Sequence, residues 1–153
     1  MKKLTLTVIW IFAFTFILIT KNMNAQEPDL YTSGSVWNLT FVKLHANMGE
    51  DYLKGLNKTW KASMDGLVTA KVIKSYKILM GEASNPQDFD LILMTELENF
   101  ASMDPNPEKE KKMDDVEKKV REAMGEEFQK TVSSYSTMRD ITGRKTMREI
   151  FLK

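Results

Sequence analysis

One histidine and no cysteine stand in a chain of 153 residues. That inventory removes most reactive chemistry. Without thiols there is no disulfide framework, no thiolate metal site and no cysteine nucleophile. A serine relay needs a histidine base and an exposed serine on a tight turn, and no Gly-x-Ser-x-Gly segment occurs. Glu126-Glu127 and Asp114-Asp115 are adjacent on helical segments, so each pair points two ways and makes no metal or catalytic pair. Neither a phosphate-cradling loop nor a dinucleotide glycine pattern is present. The methionines from Met48 onward are scattered, which suits adaptable core filling better than a soft-metal site. No metal and no cofactor is expected. What remains is Asn38 with Trp60, Tyr76 and His45: a polar handle and aromatic rings of the kind that line a pocket for a small apolar ligand. Trp37, Trp60 and Tyr76 also follow the burial pattern, which suits core or interface packing equally well.

The elements that position these residues begin after a leader. Met1-Lys2-Lys3 is basic, Leu4 to Ile19 is almost wholly apolar, and a polar stretch ends in the small residue Ala25. This is the layout of a secretory signal peptide, and the apolar run is short for a membrane-spanning helix. Residues 1–25 are therefore read as a leader, with the exported protein periplasmic or secreted and without a membrane span. Losing Lys2, Lys3 and Lys21 turns the formal charge of +1 into −2. That near-neutral balance gives no electrostatic reason to expect nucleic acid.

Residues 26–34 read as a disordered lead-in, and 35–153 as a single domain. Ser35 to Leu44 is a strand apolar at both parities. Asn47 and Glu50 fit a capping box opening a helix with Leu53, Leu56, Trp60, Met64 and Leu67 on one stripe. Val72 to Met80 and Phe89 to Leu97 are strands joined by a long turn. Asn106-Pro107 restarts a helix carrying Met113, Val116, Val120 and Met124. Gly125 bends or ends it, and Phe128, Val132 and Tyr135 continue the period. Arg139 to Gly143 reads as a loop and Thr146 to Leu152 as a last strand. The fold class is α+β: a ferredoxin-like βαββαβ plan, with a four-stranded antiparallel sheet and helices on one face.

The first and third strands have middles apolar on both sides, yet the helices cover only one. A second copy, sheet against sheet, is expected to cover the other. The segment Gly34 to Lys43, the long helix with Trp60 and the closing Gly143 to Ile150 together resemble the dimeric α/β-barrel superfamily. The resemblance implies a homodimer with a pocket between sheet and helices, and no particular chemistry. Haem-degrading members resemble the chain in a strand Asn, which Asn38 matches. The His on their second helix has no counterpart in residues 104–138, which speaks against haem. The reading is a small exported dimer that binds a small apolar or aromatic ligand without catalysis, or serves in envelope stress. The alternatives are a cofactor-independent monooxygenase or isomerase using the sheet–helix pocket, and an interaction domain with no ligand.

Overall fold

The computed structural model describes residues 30–153; the leader and residues 26–29 of the lead-in lie outside them. Strand β1 (Tyr31–Leu44) leads into helices α1 (Gly49–Lys58) and α2 (Trp60–Thr69). Strands β2 (Ser75–Met80) and β3 (Leu91–Leu97) follow. A short 3-10 turn (Phe100–Met103) precedes helices α3 (Pro107–Met124) and α4 (Glu126–Met138), and β4 (Arg139–Leu152) closes the chain. The sheet order is β2-β3-β1-β4. β1 pairs antiparallel with β3, with Val36 opposite Leu97 and Val42 opposite Leu91. β3 pairs antiparallel with β2, with Tyr76 opposite Thr95 and Met80 opposite Leu91. This is the ferredoxin-like arrangement, and residues Ser33–Phe151 form one compact unit.

Several boundaries differ from the sequence reading, each for a local reason. β1 starts at Tyr31, so residues 31–34 of the expected lead-in are strand, and the Lys153 N–H reaches the Leu30 carbonyl at 3.1 Å. The expected loop from Arg139 to Gly143 is strand as well, because β4 leaves α4 directly in extended conformation. Gly143 is no turn glycine; it lies against Phe41, where a Cβ would meet that ring at 3.6 Å. Val72 belongs to a helix ending and not to β2: its N–H bonds the Leu67 carbonyl at 2.9 Å. The capping box does not form. Asn47 takes a left-handed φ of 63°, and Met48 stands at the N-cap without a side-chain bond.

The long first helix is broken at Thr59, whose hydroxyl donates to the Gly55 carbonyl at 3.0 Å and so competes with the helix ladder. The second breaks at Gly125, which has a positive φ of 58° that glycine accepts at little cost. The start of α3 is as expected. Asn106 caps it by accepting from Lys109 N–H at 3.0 Å, with Pro107 in the first turn.

The period of two divides the sheet into two faces. Val36, Val42, Leu91, Leu93 and Leu97 are buried, together with Tyr52 and Leu56 of α1 and Phe128 and Tyr135 of α4. Close approach holds the helices together. A Cβ on Gly55 would come within 2.8 Å of the Tyr135 ring, and one on Gly66 within 2.6 Å of Val116. The opposite face carries Trp37, Leu39, Phe41, Ile92, Met94, Leu79 and Met147, and none of the helices covers it. Lys77 crosses it, its ammonium 4.1 Å from the centre of the Trp37 ring, and Phe89 packs on Phe41 with ring centres 4.8 Å apart, while Leu39 between them is already buried.

Candidate functional site

The main cavity lies on the helix face, between the sheet, α2, α3 and the 3-10 turn. Its volume is about 530 Å³, within the range of small-molecule sites. Asn38 and Thr95, paired across β1 and β3, stand at its sheet side. Met64 and Leu67 of α2 and Met113 of α3 form its helical wall. It exists because α3 buries no residue of its own. Val116 locks α3 against Gly66 of α2, so the wall is fixed at the helix pair while the sheet beneath stays half-exposed. The Asn38 carbonyl oxygen accepts from the Thr146 hydroxyl of β4 at 2.7 Å. That bond orients the amide and leaves its NH₂ group free to donate.

The four residues singled out by sequence go to three places. Asn38 lines the cavity. Trp60 and Tyr76 pack edge to face, ring centres 5.2 Å apart, and neither is among the cavity's lining residues. Trp60 also packs against the buried cluster around Tyr52 and Leu56. The Tyr76 hydroxyl is engaged: it donates to Asp65 at 2.5 Å, and Asp65 also takes Lys61 at 2.6 Å. The hydrogen bond to Asp65 raises the Tyr76 pKa above the usual tyrosine value, so this phenol is poorly suited to give up a proton at neutral pH.

His45 lies at the end of β1, where β4 begins. Its Nδ1 faces the Thr137 carbonyl at 2.9 Å and its Nε2 faces the Asp140 carboxylate at 3.1 Å. Two acceptors on two ring nitrogens favour the doubly protonated ring. The Thr137 carbonyl first, and Asp140 second, raise the imidazole pKa. The contact stabilises the fold fully below the unfolded imidazole value and loses that contribution as pH rises through the higher folded value. The stability difference between wild type and His45→Ala is therefore expected to shrink as pH rises above about 6.5, measured by urea unfolding across a pH series. A difference flat from acid to alkaline pH would contradict this role. His45 thus ties the end of α4 and the start of β4 to β1, away from the cavity lining.

The residues that sequence reasoning passed over are Met64, Leu67, Thr95 and Met113. Met64, Leu67 and Met113 were on recognised apolar stripes and were read as core. The signal was Gly66 within the stripe: a glycine that brings another helix close shifts what the neighbouring side chains face. Among the described residues, no group of three or more His, Asp or Glu is placed to hold a metal ion, and no helix is long and apolar enough to cross a membrane.

No family model matches this chain, and no curated protein does. Among solved structures the chain is similar to a dimeric protein of unknown function with a ferredoxin-like fold from Bacteroides fragilis NCTC 9343. The two share 16% identity and a TM-score of 0.38, over 77% of this chain and 97% of that one.

Proposed function

We propose that this protein is an exported homodimer that binds a small, largely apolar molecule in the cleft between sheet and helices, without catalysing a reaction on it. The cleft itself carries the reading: about 530 Å³, walled by Met64, Leu67 and Met113, with the oriented Asn38 amide as a polar anchor. Methionine walls adapt to irregular apolar shapes. The acid–base candidates named from the sequence do not stand beside the anchor, and the cleft's own ionisable residues, Asp104, Lys109 and Glu110, come from the end of the 3-10 turn and from α3. The histidine is held elsewhere by Thr137 and Asp140, and the Tyr76 hydroxyl is spent on Asp65. Export rests on the leader, and N-terminal sequencing of the exported protein should begin at or near Gln26. The dimer rests on the uncovered apolar face of the sheet.

Decanol is a suitable neutral probe. It should bind once per chain by calorimetry, and Met64→Trp, which fills the cleft, should lower its affinity at least about tenfold. The thermal midpoint of that variant should stay close to wild type, because Met64 borders open space. Decanol bound equally well by Met64→Trp would place the ligand elsewhere, and no binding to wild type would refute the reading.

A further inference from the structure

We infer that the ligand of this cleft carries an acidic head group, held by Lys71 and Lys109 at the mouth; the inference rests on the cleft being a ligand site. A second groove of about 280 Å³ adjoins the cleft and is lined by Lys71, Lys109 and Lys112 with a single acid, Glu108. Val72, Ser102, Asn106 and Lys109 line both cavities, so the two are continuous. Lys112 is neutralised by Glu108 at 2.8 Å. Lys71 and Lys109 meet no carboxylate within ion-pair distance among the described residues. The Lys109 ammonium is half-buried and bonds only the Ser102 carbonyl. Two carboxylates, Asp104 and Glu110, line the apolar cleft but not the groove, and like Lys71 both residues are exposed. The excess of positive charge belongs to the groove, with three lysines against one acid.

Lys71 supplies an independent observation. It sits just past the end of α2 with a left-handed φ of 57°. Its N–H bonds the Val68 carbonyl at 3.0 Å, and the next N–H bonds the Leu67 carbonyl at 2.9 Å. This is the glycine-favouring position of a helix C-terminal motif. A side chain there is strained relative to glycine. Here it places an ammonium with no ion-pair partner among the described residues in the groove that adjoins the apolar cleft. An apolar body in the cleft and a carboxylate in the groove satisfy both cavities at once, with charge-assisted hydrogen bonds at the head.

Calorimetry at neutral pH and low salt, with decanoate, decanol and decylamine as probes of equal chain length, tests this. Decanoate should bind at least about tenfold more tightly than decanol, with decylamine weakest. In a Lys71→Gly, Lys109→Gln variant the ratio of decanoate to decanol affinity should fall to about one. Lys71→Gly alone should hold or raise the thermal midpoint, since glycine relieves the strain. Equal binding of decanoate and decanol, tighter binding of decylamine, or a preference that survives in the double variant would each overturn the inference while leaving the cleft as a ligand site. Failure of all three probes to bind would overturn the proposed function itself.

Discussion

Tyr52→Ala should cost about 3–5 kcal/mol of folding free energy, the usual range for deleting a buried aromatic ring, while Tyr52→Phe should cost nothing or add stability. Tyr52 is wholly buried. Its ring meets Tyr135 edge-on at 5.3 Å between centres, and the Arg139 guanidinium lies 5.5 Å from its centre. Removing the ring empties the space where α1, α4 and the sheet converge. The hydroxyl is another matter. It is buried without a hydrogen bond of ordinary geometry, and burial raises its pKa above the ordinary tyrosine value against the opposing pull of the neighbouring Arg139 guanidinium. A buried polar group without a partner carries its full desolvation cost, about 1–3 kcal/mol, which phenylalanine does not incur. Denaturant unfolding of the two variants should bracket the wild type from opposite sides. A Tyr52→Phe variant as unstable as Tyr52→Ala would show that the hydroxyl, not the ring, holds this junction.

Tyr52 also shows where sequence stopped being informative. The apolar stripe Leu53, Leu56, Trp60, Met64 and Leu67 indicated a helix against a sheet, and the helix is there. The period alone does not say which residues of a broad stripe lie deepest. Tyr52, one residue before the stripe, proved more buried than Leu53 because α1 and α2 break at Thr59 and turn the stripe between them. The break follows from a threonine hydroxyl bonding back to Gly55 and meeting the Tyr135 hydroxyl at 2.5 Å, a contact 76 residues away in sequence. Element order and fold class were legible because alternation and helical spacing are local. Asn38 was singled out by its match to the strand Asn of the resembled family and as a polar handle beside the aromatic rings. A pocket between sheet and helices was expected from the resemblance, but its lining was not legible, since that depends on how closely Gly66 lets α3 approach. Lys71 was not either, because a left-handed lysine is set by the helix ending around it. Gly143, read as a loop residue, is a strand residue because β4 leaves α4 directly at Arg139.

Leu79→Glu combined with Met147→Glu is expected to convert a dimer into a folded monomer. The two residues lie on opposite edge strands of the uncovered face. Leu79 stands opposite Ile92, which stands opposite Phe41. Met147 belongs to the alternate positions of β4 that include Gly143 beside Phe41, since Thr146 points the other way to Asn38. Leu79 is 50% and Met147 44% exposed in the single chain, so charging them should disturb the monomer little. In a sheet-against-sheet dimer both carboxylates would be buried without partners. Such a burial costs several kcal/mol, which raises the dissociation constant at least about a hundredfold. Ile78→Glu is the matched control. It adds the same charge to the same strand, but Ile78 pairs with Leu93 and belongs to the helix face. Sedimentation velocity at micromolar concentration should find wild type and Ile78→Glu as dimers and the double variant as a monomer with unchanged circular dichroism. A monomeric wild type would remove the second copy from the uncovered face. Loss of the dimer in Ile78→Glu alone would move the interface to the helix side of the sheet.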